Sequence, residues 1–285
     1  MSLPSRRLAS MGLPLPSTLS PSKASTFKDC ALAFRFSVIE RIPEPPSPHA
    51  SRGTLVHASL QKLYSLPPRQ RRPEVARTCL RDAWDELKDL EEFTGLGLSA
   101  PETRDFLEEC ERLVEAVFAI EDPAQIRPIG LELEMAVQLG EDDKGPTVRG
   151  IIDRLELTED GELVVTDYKT GKAPRHTIAQ KRLDGVRIYA LMCERLLGRR
   201  PARVQLHYLG DQKTMSHVPD DQSVRAVETQ LQALWGAIRR ACATGVFKEK
   251  PSSLCECCNF RRWCPAWGGD PDRAATEAPS VFFGS

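Results

Sequence analysis

The sequence predicts a mixed α/β fold with a helical N-terminal part, and three observations support this prediction. Before residue 120, long segments carry apolar residues at three- and four-residue spacing, which is typical of helices. Between residues 129 and 167, apolar residues alternate and turn residues intervene, which indicates antiparallel strands. Two further long helical patterns flank a second group of strands. This order favours a central sheet with helices packed around it.

The N-terminal part is expected to contain four helices. Ser20 and Pro21 match a helix cap followed by proline in the first turn, and the helix they begin should end at the proline-rich run 43–48. Apolar spacing predicts the other three over residues 52–66, 73–90 and 101–120.

The strands come next. A three-strand meander is predicted over residues 129–139, 147–157 and 162–167, with turns at Asp143-Lys144-Gly145 and Glu159-Asp160-Gly161. After it we expect a helix over 177–197, strands over 204–209 and 214–218, and a helix over 221–244.

Length and composition favour one elaborated domain with flexible ends. The 285 residues are 41% hydrophobic, so we expect a folded domain over residues 20–268, a disordered segment over 1–19 and a flexible tail over 269–285. The formal charge of -1 means that any polyanion must be bound by local basic clusters.

The sequence carries no pattern for secretion or for a membrane. The first twenty residues lack the apolar stretch of a signal peptide, and no segment approaches the roughly 20 apolar residues that cross a bilayer. A cytoplasmic location is therefore expected. In that reducing compartment the nine cysteines should serve metal sites or cores and not form disulfides.

Two acids and a lysine stand out in the strands. Asp167 and Lys169 share one face of their strand, and Asp153 stands between Ile151 and Leu155 where the pattern calls for an apolar residue. Two carboxylates beside a lysine can hold Mg²⁺ or Mn²⁺ and position a water for phosphodiester hydrolysis. The alternative is a simple ion pair at the end of a strand.

The segments GIIDR at 150–154 and VVTDYKTG at 164–171 together resemble the PD-(D/E)XK nuclease superfamily, in its RecB-like exonuclease branch. The resemblance implies a restriction-endonuclease-like core and a metal-dependent DNA nuclease. It also implies the roles of individual residues: Asp153 and Asp167 as metal ligands, Lys169 as a catalytic residue, and the Tyr168 carbonyl as a further ligand.

Two more positions follow from the resemblance. The segment RGTLVH at 52–57 is similar to a helix opening in this family whose histidine contributes to the metal site, which makes His57 a candidate ligand. Its alternative role is a histidine packed on an apolar helix face. The family's Gln and Tyr pair is incomplete here, because Tyr189 is present but Gly185 replaces the Gln, and Gln180 is out of register. This departure concerns DNA alignment by Tyr189 more than metal binding.

A cysteine cluster lies near the C-terminus. Cys255, Cys258 and Cys264 have C-x2-C-x5-C spacing in a segment rich in turn residues, which indicates three metal ligands. Zinc and a 4Fe-4S cluster both accept four thiolates, so the spacing leaves the metal open. Cys30 resembles the N-terminal cysteine that completes a 4Fe-4S cluster in iron-sulfur members of this branch. By resemblance, residues 20–268 form one nuclease domain clamped through Cys30 and residues 251–267.

The other cysteines are expected to have no metal role. Cys257 breaks the family spacing and is interpreted as a spectator. Helical patterns contain the remaining four, which are interpreted as core thiols: Cys79, Cys110, Cys193 and Cys242.

The expected function is an exonuclease that hydrolyses DNA ends or single strands in repair, and a helicase is a candidate partner. Lys172 and Arg175, which follow the Asp-x-Lys strand, are the favoured phosphate contacts. Other candidates are Arg69, Arg71, Arg72, Arg261 and Arg262. One alternative is a non-catalytic iron-sulfur DNA-binding subunit of a helicase-nuclease complex, which the missing Gln favours. Another is a zinc-bound interaction module, which would leave the acids unexplained.

Overall fold

A computed structural model describes residues 12–140, 145–174 and 176–284, with the main chain alone over 176–184. Residues 1–11 of the expected disordered segment, the turn residues Asp143 and Lys144, and Arg175 lie outside the described residues, as does the side chain of Gln180.

The chain divides into two compact units. We call residues Met1–Pro45, Gln138–Val148 and Thr229–Ser285 the terminal unit, and residues Pro46–Val137 and Arg149–Glu228 the sheet unit. The single domain over 20–268 stays a prediction, and both ends of that range belong to the terminal unit. The periodicity of each segment is local and carries no information about which distant segments contact each other.

Helices form the first part of the sheet unit: α3 (Pro48–Ser65), α4 (Pro73–Leu87), α5 (Glu91–Thr94), α6 (Ala100–Glu115) and α7 (Val117–Ile120). Helix α6 begins at a capping box in which the Glu102 carboxylate accepts a hydrogen bond of 2.8 Å from the Ser99 N–H. The apolar stripes of α3, α4 and α6 pack into one core that includes Leu60, Leu80 and Phe106. The three helices predicted from apolar spacing are thus present, although the one predicted over 101–120 divides into α6 and α7.

The sheet contains five strands in the order in which they occur along the chain: β1 (Pro128–Gln138), β2 (Thr147–Leu157), β3 (Leu163–Lys169), β4 (Arg203–Tyr208) and β5 (Lys213–His217). Strand β3 pairs antiparallel with β2 and parallel with β4, and β4 pairs antiparallel with β5. The mixed α/β fold is therefore confirmed.

Strand β3 occupies the centre of the sheet and is covered on both faces. The core of α3, α4 and α6 reaches it through Tyr168. Helix α8 (His176–Leu197) provides the crossover between the parallel strands β3 and β4 and packs against both. The long helix α9 (Asp221–Thr244) has the predicted bounds.

The terminal unit begins with α1 (Pro21–Asp29) and α2 (Ala31–Phe34), which continues as a π-helical turn over Arg35–Ile39. The Ser20 hydroxyl caps α1 by accepting the Lys23 N–H at 3.2 Å. Near the C-terminus, helix α10 (Ala274–Phe283) follows four short 3-10 turns, which span Ser253–Cys257, Arg261–Trp263, Pro265–Trp267 and Pro271–Arg273.

The described parts of both expected flexible ends contain buried residues or secondary structure. Leu19 is fully buried and bridges to Val148, so the described part of the segment 1–19 packs on the terminal unit. In the expected tail 269–285, residues Ala274–Phe283 form α10, which buries Ala274 and Ala278. These segments are short and rich in small residues or proline, so their few buried contacts leave no periodic signal in the sequence. Among the described residues, no helix is both long enough and apolar enough to span a membrane.

Candidate active site

Neighbouring strands bring the predicted acids together. The β2–β3 register pairs Arg154 with Thr166, which places Asp153 beside Asp167. Both carboxylates are nearly buried, with 8% and 5% of each residue exposed. Lys169 lies at the end of β3, with its Nζ 2.5 Å from Asp167 Oδ2. The structure thus brings Asp153, Asp167 and Lys169 to one face of the sheet.

The strand pattern around Asp153 differs in part from the expected one. Leu155 is buried, but Ile151 is 43% exposed, so Asp153 does not lie in a continuous apolar row. Residues from Ile152 onward are buried on both faces of β2 because helices cover both sides of the sheet there.

Helix α3 directs His57 at the same acids. His57 Nε2 lies 3.1 Å from the carbonyl oxygen of Tyr168, and Nδ1 lies 3.5 Å from Asp153 Oδ2. The Tyr168 N–H donates a hydrogen bond of 2.7 Å to the same Asp153 oxygen. His57 therefore faces the carboxylates and is not packed on an apolar helix face.

Glu132 is a member of the site that sequence reasoning missed. His57, Glu132 and Asp153 each offer one ligand atom within 4.8 Å of the others, whereas Asp167 lies outside this close group. Glu132 has a positive φ of 46°, which non-glycine residues seldom adopt. This local bend interrupts the alternation of buried and exposed side chains along β1. Glu132 is half-buried in the site, whereas Glu134, two residues later, is exposed. The alternating pattern in the sequence gives no sign of the bend.

Burial and mutual repulsion shape the charges of the site. Burial raises the pKa of Asp167, the charge of Asp153 raises it further, and Lys169 acts in the opposite direction. Burial alone would lower the pKa of His57, but hydrogen bonds to Asp153 and Glu132 outweigh it and raise this pKa to about 10. Burial would also lower the pKa of Lys169, but Asp167 and Asp153 raise it overall.

The donor set fits a hard divalent cation. Three carboxylates face two cationic side chains, and the buried Asp167 Oδ2 is paired with the Lys169 ammonium. Mg²⁺ and Mn²⁺ prefer carboxylate oxygens, and His57 could add a nitrogen through Nδ1 while its Nε2–H donates to the Tyr168 carbonyl. That carbonyl, predicted as a metal ligand, is engaged by His57, although its second lone pair remains available.

Tyr189 reaches the site from α8. Burial raises the pKa of its hydroxyl, and the charges of Asp167 and Asp153 add to this effect. Its ring packs on the backbone of Gly150, where an added Cβ would lie 2.9 Å from Tyr189 Cε1. Gly185, at the position of the family's Gln, faces open space.

The cysteines predicted as ligands converge within the terminal unit. Burial raises the pKa of the Cys258 thiol, the Phe260 N–H opposes this, and Cys30, Cys255 and Cys264 raise it as charged neighbours. These thiols line a cavity of about 330 Å³. Cys257 also borders the cavity, but it is exposed and its thiol donates to the Leu254 carbonyl at 3.4 Å. The other four cysteines are buried, as predicted.

The candidate phosphate contacts are in different surroundings. Arg71 is only 6% exposed, and its guanidinium donates hydrogen bonds to the carbonyls of Leu66, Pro123 and Ile126, so it has a structural role. Lys172 is exposed in the loop after β3. The remaining described candidates are also exposed: Arg69, Arg72, Arg261 and Arg262.

Comparisons with known proteins identify a similar fold and a family. The fold resembles the solved structure of a provisionally assigned exonuclease from Eubacterium rectale, with a TM-score of 0.57 and 13% identity over 92% of this chain and 94% of that one. A solved structure of SSO0001 aligns at a TM-score of 0.37 and 15% identity over 72% and 84%, which is too low to support an argument. Curated protein sequences gave no match.

A family model matches residues 18–265, which include every candidate ligand described above. This match covers most of the chain. The chain belongs to the PD-(D/E)XK nuclease superfamily.

Proposed function

We propose that this protein is a Mg²⁺- or Mn²⁺-dependent exonuclease of the RecB-like branch that hydrolyses phosphodiester bonds in DNA, in repair or end processing. The observation that carries the proposal is the meeting of Asp153, Asp167 and Lys169 with His57 on one sheet face, in a chain of a nuclease superfamily. The likeness to the Eubacterium rectale structure supports the fold.

Each residue would have a defined task. Asp153, Asp167, Glu132 and His57 would hold the cation, which when bound supplies charge stabilisation at the phosphate and lowers the pKa of a coordinated water. Lys169 keeps its proton at neutral pH because Asp167 and Asp153 raise its pKa. It would therefore position the attacking water and stabilise phosphate charge more readily than it would remove a proton.

The terminal unit is proposed to hold a 4Fe-4S cluster through Cys30, Cys255, Cys258 and Cys264. A tetrahedral zinc site with bonds of about 2.3 Å sets its sulfurs roughly 3.8 Å apart. Among the described thiols, no three sulfur atoms lie within 4.8 Å of one another. Sulfurs spread around a cavity of about 330 Å³ fit a multi-iron cluster better than a single zinc ion.

Backbone donors also suit bound thiolates. The Ser252 N–H lies 3.4 Å from Cys255 Sγ, and the N–H groups of Phe260 and Ala266 donate to Cys258 and Cys264. Such hydrogen bonds stabilise the charge on cluster sulfurs. Free thiols of this kind suit the reducing cytoplasm, where we expect the protein to act.

A second candidate function is a non-catalytic iron-sulfur DNA-binding subunit. The observation that favours it is Gly185, which leaves open space where the family has a Gln beside Tyr189. The acids and the lysine retained on the sheet favour the catalytic function instead.

End-labelled single-stranded and duplex DNA would test the proposal, using anaerobically purified protein with Mg²⁺, Mn²⁺ or EDTA. We expect metal-dependent release of short products from the ends and none in EDTA. Asp167→Ala should be inactive, and Asp160→Ala, which removes an exposed acid in the β2–β3 turn, should match the parent. DNA binding without cleavage under every metal condition would favour the non-catalytic subunit.

A further inference from the structure

The sheet face opposite the acids carries a buried charged group, which we call the Arg154 cluster: Tyr64, Glu121, Arg154, Glu156, Tyr168 and His207. Arg154 is fully buried, and its Nη2 donates a 2.8 Å hydrogen bond to Glu121 Oε2. Its Nε lies 2.8 Å from Glu156 Oε2. The guanidinium also donates to the Tyr168 hydroxyl and lies 4.6 Å from the centre of the Tyr64 ring.

Charge in this cluster is retained despite burial. Burial would raise the pKa of Glu121, but Arg154 and His207 hold it well below its usual range. His207 Nε2 lies 3.2 Å from Glu121 Oε2, and Thr214 anchors the other ring nitrogen at 2.9 Å. Well-packed apolar residues often stabilise a core as well as a buried ion pair does. Fold stability is therefore a weak explanation for the cluster.

Tyr168 joins the cluster to the acid site. Its side chain lies in the cluster, stacked on Tyr64 with ring centres 6.3 Å apart. Its main chain lies in the acid site, where the N–H donates to Asp153 and the carbonyl accepts from His57 Nε2. The two sheet faces are thus linked through one residue.

The neighbours of the acids point into the same cluster. Arg154 directly follows Asp153 along β2, and Thr166 directly precedes Asp167 along β3. The Thr166 hydroxyl accepts a 3.2 Å hydrogen bond from Arg154 Nη2. Because successive side chains of a strand point to opposite faces, anchoring these residues also fixes the direction of the acids.

We propose that Arg154 and Glu121 are positioning residues for the metal site: they hold Tyr168 so that its peptide groups keep Asp153 and His57 in ligand geometry. This inference rests on the proposed function, since it concerns the same cation. Neither residue would touch metal or DNA. Substitution of either residue would lower the affinity for the metal and the rate of turnover, with little change in DNA affinity.

Mn²⁺ titration of the full-length protein by calorimetry would test this role, together with thermal melting and steady-state cleavage. Arg154→Met and Glu121→Gln should each weaken Mn²⁺ binding about tenfold, the scale typical of residues that orient ligands. kcat should fall while KM for DNA stays near the parent value. Leu80→Ala, a buried change in the helical core, should lower the melting temperature but bind Mn²⁺ like the parent.

Tyr168→Phe provides a second variant that keeps the ring stacked on Tyr64 and removes only the hydroxyl bonded to Arg154. It should weaken Mn²⁺ binding several-fold. If Arg154→Met does not fold, Tyr168→Phe and Glu121→Gln decide the matter. Parent-like Mn²⁺ affinity in the folded variants overturns the positioning role.

The Asp153→Asn variant distinguishes failure of the positioning role from failure of the proposed function. Loss of Mn²⁺ binding in Asp153→Asn, with parent-like binding in the cluster variants, overturns the positioning role and leaves the metal site standing. Parent-like binding in Asp153→Asn, or no Mn²⁺ binding by the parent, overturns both.

Discussion

His57 and Asp153 are held on the two sides of the Tyr168 main chain. His57 Nε2 lies 3.1 Å from the Tyr168 carbonyl oxygen, Asp153 Oδ2 accepts the Tyr168 N–H at 2.7 Å, and His57 Nδ1 lies 3.5 Å from that same carboxylate oxygen. Helix α3, strand β2 and strand β3 therefore meet at one residue. Five predictions depend on this site and on the cysteine cluster.

Lys169→Ala should reduce metal-dependent cleavage to background while the melting curve stays close to that of the parent. The amine positions the attacking water, and its removal also leaves the buried Asp167 without its ion-pair partner. Single-turnover cleavage of end-labelled DNA measures the effect, with the exposed Lys172→Ala as a comparison that should mainly weaken DNA binding. Parent-like cleavage by Lys169→Ala would remove it from the catalytic residues.

Glu132→Gln should weaken Mn²⁺ binding, because it removes one of the three close ligand groups. Glu134→Gln is a matched control two residues along the same strand: this side chain is exposed and pairs with Arg149 at 2.6 Å. Calorimetry should show roughly a tenfold loss for Glu132→Gln and none for Glu134→Gln. Equal affinities for the two variants would show that Glu132 is not a ligand.

Mn²⁺ binding should tighten as the pH rises from 6 to 9. The raised pKa of His57, about 10, means that the metal-free protein carries this proton throughout the range. A ligand histidine must lose it, so binding should release about one proton. Because the pKa of Asp167 is raised, this carboxyl group also binds a proton below pH 6, and that proton competes with the metal. Calorimetry in buffers of different ionisation enthalpy counts the protons, and His57→Asn should release about one fewer; an unchanged count contradicts the assignment.

Gly150→Ala should impair cleavage, because its Cβ would lie 2.9 Å from Tyr189 Cε1 and the ring must move. We expect a stability loss of about 1–3 kcal/mol, typical of overpacking, with Mn²⁺ affinity retained. Gly185→Ala is the matched control: it faces open space in α8 and should stabilise the helix by about 0.8 kcal/mol. Denaturant unfolding distinguishes the two variants. Equal changes in the free energy of unfolding would mean that Tyr189 does not pack on Gly150.

Anaerobically purified protein should be brown and contain about four irons per chain. Cys30→Ser, Cys255→Ser, Cys258→Ser and Cys264→Ser should each bleach it and lower stability. Cys257→Ser should not, since this exposed thiol donates to Leu254. Metal analysis and visible absorption provide the readout. One zinc and no iron would contradict the cluster, and bleaching by Cys257→Ser but not by Cys258→Ser would show that the ligand register is wrong.

Local sequence patterns were sufficient for much of the fold. The bounds of β2 and α9 agree with the alternation and the helical spacing, and the Ser20 cap begins α1 as expected. These features depend on residues only a few positions apart, so they can be predicted from the sequence. The Asp-x-Lys triplet and the cysteine spacing are local in the same way.

Tertiary structure alone decided which other residues surround the acids. Glu132 enters the site through a left-handed bend that alternation cannot reveal, and Arg71, which resembles a surface cation, is buried under carbonyl groups of distant segments. In the Arg154 cluster, Glu121 pairs with Arg154 and with His207, although the sequence shows Arg154 only as the residue after Asp153. Such contacts depend on how separate segments pack in space, and the spacing of residues within any one segment does not encode them.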